Sequence, residues 1–325
     1  MDIDLLAPAS ADEKPVLVTR VTDDEMAPGV LEPLRAALGQ GGPGSSLSDL
    51  ISAIPTADGM DIVEHVVDAD RGLIVRISRA ADRAHETPLP CLYAIHGGGY
   101  IMGNRLMEDP LMARLCPDLG IVGVSVEYRL APGTSYPGPL EDCYDGLAWI
   151  VAHADELGVD ADRIGIYGGS AGGGLAAALA LLIRDRNEFK IQFQTLMYPM
   201  IDDRQITPSS QLDGLAVWPR EGNEQGWRAY LGDLYGAERL PIYAAAARAK
   251  DLSGLPPAFV AVGGLDGFRD ENIDYAMRLY QAGVATELHV YPGGPHGYGI
   301  AADAPISRQG SRDVADWLRR QFARI

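Results

Sequence analysis

The chain has 325 residues, 47% of them hydrophobic, and 27 Lys and Arg stand against 45 Asp and Glu for a formal net charge of −18. This length can bury a sizeable core, in one large α/β domain with an appended lid or in two domains. The acidic balance argues against nucleic acid and anionic membrane surfaces as partners, and solubility is its plainest reading.

The first residues, MDIDLLAPASADEKP, carry acids where a secretory signal would carry bases and an apolar run. No stretch approaches the roughly 20 apolar residues that span a bilayer. The three cysteines, Cys91, Cys116 and Cys143, are too few and too scattered for a disulfide framework or a zinc site. Cys91 and Cys143 sit in apolar patterns and read as small core residues. The expected compartment is the cytoplasm.

Residues 1–55 carry helical patterns (Leu31, Leu34, Leu38; then Leu47, Leu50, Ile51, Ile54) broken by GQGGPGSS. From about residue 60, strand and helix signals alternate. Ile62–Val67 and Leu73–Ser78 alternate apolar with polar, which predicts an antiparallel hairpin at a sheet edge. Leu89–Ile95, Ile121–Glu127, Arg163–Tyr167, Ile191–Tyr198, Ala258–Val262 and Thr286–Tyr291 are near-continuous apolar runs, as parallel strands covered on both faces require.

Between them, Leu140, Tyr144, Leu147, Val151 and Ala154 recur at helical spacing, as do Ile273, Ala276, Met277 and Tyr280, then Val314, Trp317, Leu318 and Phe322. The alternation predicts an α/β fold: a doubly wound, mostly parallel eight-stranded sheet with helices on both faces, whose ligands bind beyond the carboxyl ends of the strands. Residues 203–250 interrupt it and include Trp218, Trp227 and Tyr230. The expected organisation is a cap built from 1–55 and 203–250 over a core formed by 56–202 and 251–325. The competing reading is a terminal arm and a surface excursion with no part in binding.

Four motifs fall at strand ends. Gly168-Gly169-Ser170-Ala171-Gly172 lies between a strand and an Ala/Leu-rich helix. A strand that reverses directly into a helix strains its apex residue, and small neighbours permit the turn; Ser170 is then lifted beside a helix amino terminus as a nucleophile. A phosphate loop would need Gly-Lys-Ser/Thr, and a dinucleotide fold places its glycine turn after its first strand. His96-Gly97-Gly98-Gly99-Tyr100 follows another strand, and consecutive glycines let backbone N–H groups crowd a ligand oxygen. Gly98, Gly99 and Ala171 are the expected oxyanion donors, with His96 anchoring the loop.

Of the six histidines, His65 and His289 sit within strands, His153 on a helix and His85 in a polar linker. His296, in the loop after Thr286–Tyr291, is the expected base. Asp266, at the end of Gly263-Gly264-Leu265-Asp266, is the expected acid; Asp270 and Glu271 open the next helix and have a sufficient role there. The order Ser, Asp, His is that of α/β-hydrolases. Tyr100, Trp218 and Trp227 are candidates for the substrate pocket, with core packing the alternative for each.

The motifs HGGGY, VEYRLAPG (126–133), GGSAGGGLA, YPMIDD (198–203), LSGLPPAFVAVGGLD and PGGPHGY resemble the bacterial hormone-sensitive-lipase family of α/β-hydrolase esterases, in its order, from about Leu89 to Tyr298. The resemblance implies the triad Ser170, Asp266 and His296, the oxyanion donors Gly98, Gly99 and Ala171, a helical cap and short- to medium-chain esters. It also implies no cofactor and a homodimer paired through the last strand. Gly169 departs from the Asp or Thr of many relatives, Gly-Phe-Arg-Asp-Glu after Asp266 departs from Pro-Leu-Arg-Asp-Glu, and Tyr298 stands where Phe is common. The expected function is therefore a serine carboxylesterase working through an acyl-enzyme. Amidase, lactonase or carbamate hydrolase chemistry is the alternative, and a small-molecule receptor on the same scaffold a further one.

Overall fold

The computed structural model describes residues 3–5, 17–33, 59–83 and 88–324. Most of the predicted helical pattern in 1–55 (from Leu34 to Ile54) and His85 lie outside the described residues. Two short strands, β1 (Ile3–Leu5) and β2 (Leu17–Thr19), pair antiparallel.

The main sheet has eight strands: β3 (Met60–Asp68), β4 (Leu73–Ala80), β5 (Leu89–Ile95), β6 (Val122–Glu127), β7 (Val159–Gly169), β8 (Phe193–Met197), β9 (Ala258–Leu265) and β10 (Thr286–Pro295). Their order is β10-β9-β8-β7-β5-β6-β4-β3. All neighbours from β10 to β6 are parallel; β3 and β4 form the predicted antiparallel hairpin at one edge, and β4 joins it to β6 antiparallel. Each predicted strand is present, several running a few residues longer.

Alternation along the central strands sorts the core into two layers. Cys91, Tyr93 and Ile95 of β5 face the cluster that includes Leu140, Leu147, Leu175 and Leu279. Those residues come from the helices α2 (Gly138–Ala152), α3 (Ala171–Arg186) and α5 (Arg269–Gln281). Leu92 and Ala94 face the other layer with Leu115, Phe193, Phe259 and Trp317, covered by α1 (Asp109–Leu119) and α6 (Pro305–Phe322). The three cysteines are free and buried.

The stripe expected on α5 is corrected. Met277 and Tyr280 are 48% and 52% exposed, while Asn272, Tyr275, Ala276 and Leu279 are buried. The helix is turned so that Asn272 Nδ2 donates to Pro199 O at 2.8 Å, a polar anchor that hydrophobic periodicity does not register.

Residues 203–250 contain α4 (Arg220–Leu231), whose Trp227, Tyr230 and Leu231 are buried. A β-carbon on Gly226 of this helix would stand 2.7 Å from Gly99 O, so α4 rests on the loop after β5. Val21 N donates to Asp213 O and Ala27 N to Gly293 O, both at 2.8 Å, which ties residues 20–27 to the same end of the molecule.

Candidate active site

Strand register assembles the site. Ile95 pairs with Gly168, so the His96–Gly99 loop and the Ser170 turn leave the sheet side by side. Leu265 pairs with Pro295, so Asp266 and His296 emerge as neighbours although 30 residues apart. Ser170 is the residue between β7 and α3, at φ 56° and ψ −120°. A non-glycine residue there is held against its intrinsic preference by its surroundings. Its N–H donates to Met197 O and its carbonyl accepts from Gly174 N and Met200 N. Gly172 must be glycine, because a β-carbon would lie 2.0 Å from Ile95 O. At Gly169 a β-carbon would meet nothing nearer than Tyr198 at 3.7 Å, so packing does not require glycine at this position.

Ser170, Asp266 and His296 are all buried and form one chain: His296 Nδ1 lies 2.8 Å from Asp266 Oδ2 and His296 Nε2 lies 2.9 Å from Ser170 Oγ. The second oxygen of Asp266 accepts from Phe268 N at 2.9 Å, which fixes the carboxylate plane. Tyr198 and Phe268 stand edge-to-face with the His296 ring, at centroid distances of 4.9 and 5.0 Å. Asp270 is engaged elsewhere, accepting from Ser209 N, and Glu271 accepts from Ile201 N inside the core. Burial pushes the Glu271 carboxyl far above the usual carboxylate range.

The amides of Gly98, Gly99 and Ala171 make no hydrogen bond among the described residues. The loop that carries the first two passes close to the serine: a β-carbon on Gly97 would be 3.4 Å from Ser170 Cβ. Gly98 sits at φ 113°, a conformation L side chains rarely adopt. His96 is buried, its Nδ1 donates to Gly97 O at 2.8 Å, its carbonyl accepts from Tyr128 Oη, and its ring stacks on Tyr128 at 4.1 Å. Burial holds its pKa down at about 4, so it stays neutral and anchors the loop.

The three pocket candidates separate. Trp227 is fully buried and Tyr100 nearly so; Tyr100 stacks on Tyr230 at 4.1 Å and its hydroxyl donates to Met200 O at 2.7 Å. Both are packed beneath the loop. Trp218 alone stays partly exposed, its ring lying so close to Gly99 that a β-carbon there would be 2.2 Å away. Leu215 approaches Gly267 and Val217 approaches Gly297 in the same way, at 3.2 and 3.8 Å, so residues 215–218 cross three of the four loops. A cleft of about 200 Å3, including its open mouth, lies between this segment and Gly267-Phe268. Sequence reasoning missed Tyr198 and Phe268; their signal is position, directly after a strand and two residues after Asp266.

Comparison with known proteins agrees with this geometry. The sequence profile of the alpha/beta hydrolase fold family matches residues 92–300. Esterase LipI of Mycobacterium tuberculosis is 32% identical over 266 residues, covering 78% of this chain and 80% of its own. Carboxylesterase NlhH of the same organism is 36% identical over 222 residues, covering 65% and 66%. Among solved structures, a bacterial heroin esterase superposes with a TM-score of 0.85 at 38% identity, covering 93% of this chain and 99% of its own. The chain belongs to the α/β-hydrolase fold family, among the bacterial esterases of hormone-sensitive-lipase type, and is a carboxylic ester hydrolase.

Proposed function

We propose that Ser170 is the nucleophile, His296 the general base and Asp266 the orienting acid of a serine carboxylesterase for short- to medium-chain acyl esters. The observation that carries this is the unbroken Asp266–His296–Ser170 hydrogen-bond chain beside three amides that make no hydrogen bond among the described residues. His296 takes the Ser170 proton as Oγ attacks the ester carbonyl, and the Gly98, Gly99 and Ala171 amides receive the oxyanion. His296 then protonates the leaving alcohol, and water repeats the cycle on the acyl-enzyme. Asp266 keeps the imidazole tautomer and balances the imidazolium without itself taking the proton.

In this reading residues 1–55 and 203–250 form the cap, supported by the contacts of Trp218 and Gly226 with Gly99. The compartment is the cytoplasm, in keeping with three free buried cysteines. The reading includes a homodimer through β10, supported by that strand's place at a sheet edge. None of the relatives named above favours the amidase, lactonase, carbamate hydrolase or receptor alternatives.

The test is hydrolysis of p-nitrophenyl butyrate and its anilide counterpart by the wild type and by Ser170→Ala. Turnover of the ester, with the variant down by roughly four decades or more, is the expected result. A variant that retains most of the activity removes Ser170 from the mechanism, and a wild type that prefers the anilide turns the reading to an amidase.

A further inference from the structure

The cleft beside the triad is lined by polar side chains that the mechanism does not use. The rings of Trp218 and Phe268 border it, and its polar lining includes Gln205, Arg220 and Asn223. At about 200 Å3 with its open mouth, it is smaller than the roughly 300–1,000 Å3 of a pocket for a whole ligand. It has room for one end of a substrate. Both rings tie it to the reacting groups. The Trp218 ring lies against Gly99 in the loop after β5. The Phe268 ring stands 5.0 Å from that of His296, and Phe268 N donates to Asp266 Oδ1 at 2.9 Å. A group held between these rings is one aromatic side chain away from the triad.

The polar lining is rich in donors. Asn223 is 4% exposed, and its Oδ1 accepts from Trp218 Nε1, which leaves Nδ2 with no acceptor among the described residues. A buried donor of this kind calls for a partner. Arg220 opens α4 and is exposed, and among the described residues its guanidinium makes no ion pair or hydrogen bond. Arg204 and Arg269, next in sequence to Gln205 and Phe268, differ: they pair with Asp202 and Asp270 at 2.6 and 2.8 Å. The first turn of α4 adds to the donor set. Pro219 supplies no side-chain cap, and the N–H groups of Arg220, Glu221 and Gly222 find no acceptor among the described residues. Gln205 Oε1 is buried without a hydrogen bond among the described residues, and turning this carboxamide presents its Nε2 to the cleft as a further donor.

We propose that Arg220, Asn223 and Gln205 form a subsite for a carboxylate carried by an ester whose carbonyl lies on Ser170. This rests on the esterase reading and names the substrate class for it: half-esters of dicarboxylic acids, or acyl esters of hydroxy acids. The guanidinium supplies charge and a planar pair of donors, while the Asn223 amide and the start of α4 supply further hydrogen bonds to the carboxylate oxygens. The Trp218 and Phe268 rings enclose the methylenes that lead back to the ester. The net charge of −18 repels anions from the molecule as a whole, so a preference for them can come only from local contacts.

The experiment compares kcat/KM at about pH 8, where the carboxylate is ionised, for pairs in which an isopropyl group replaces the carboxylate. On the acyl side these are mono-p-nitrophenyl adipate with p-nitrophenyl 6-methylheptanoate, and mono-p-nitrophenyl suberate with p-nitrophenyl 8-methylnonanoate. On the alcohol side they are 4-(butyryloxy)butanoate with 4-methylpentyl butyrate. The charged member of at least one pair should be preferred by about fivefold or more. Arg220→Gln should remove most of that preference, and Arg220→Glu should turn it into a preference for the uncharged member. A wild type that prefers the charged member of no pair overturns the subsite, as does a preference that both variants retain. Failure to turn over any ester would instead sink the esterase reading beneath it.

Discussion

At the scale of single residues, the site separates two pairs of like groups by environment. His296 bridges Asp266 and Ser170, whereas His96 is buried, held neutral and committed to Gly97 O. Asp266 faces His296, whereas Asp270, four residues on, secures Ser209. Asp266→Asn should therefore lower kcat by roughly three to four decades by disfavouring the productive tautomer. Asp270→Asn should change it less than about tenfold, since it loses only a structural hydrogen bond. Steady-state rates on p-nitrophenyl butyrate check both, and equal losses would mean that the acid has been assigned to the wrong carboxylate. These assignments were readable because each motif is local: glycines flanking a serine, glycines after a strand, a histidine in a loop. The burial of Glu108 was not readable, because it is a property of the folded surroundings alone.

At the scale of elements, the segment 203–250 contributes two tryptophans of opposite character. Trp227 is wholly buried among Tyr100 and Tyr230, at centroid distances of 5.2 and 6.0 Å. Trp227→Ala leaves a cavity and should cost about 3–5 kcal/mol in urea unfolding. Trp218 covers Gly99 at the rim of the cleft, with its indole N–H donating to Asn223 Oδ1 at 3.4 Å. Trp218→Ala should leave stability within about 1–2 kcal/mol and shift the acyl-length profile, measured from acetate to octanoate, toward longer chains. An unchanged profile would remove Trp218 from the pocket. Aromatic residues at helical spacing look alike in a sequence, and only the neighbouring layer decides which face is covered. The same holds for α5, where Met277 and Tyr280 face outward and Asn272 inward.

At the scale of the whole molecule, two buried ionisable groups oppose each other across the pH range. His96 is held at about 4 against an ordinary 6.5, so the unfolded chain binds more protons between these values and stability is lost as pH falls through that window. Glu108 is held at about 8 against an ordinary 4.5, so the folded chain binds more protons and stability is lost as pH rises from 4.5 through 8. Each effect is on the order of a few kcal/mol. Glu108→Gln should accordingly raise Tm relative to the wild type increasingly from about pH 5 to about pH 9. Thermal melts at three pH values check this, and a difference that does not vary with pH would show that Glu108 ionises freely. Among the described residues no helix is long and apolar enough to cross a membrane.

By itself the sequence determined the strand and helix alternation, the edge hairpin, the motif order and the residues of the candidate triad. All of these are written in contiguous residues or in their order along the chain. The tertiary structure alone decided the rest. Ser170 and His296, 126 residues apart, meet only through the pairing of Ile95 with Gly168 and of Leu265 with Pro295 across one continuous sheet. Burial of Tyr100, Trp227 and Glu108 and the rotation of α5 depend on what distant segments place against them. Periodicity reports which face of an element is apolar; whether that face is covered, and by what, is settled by packing.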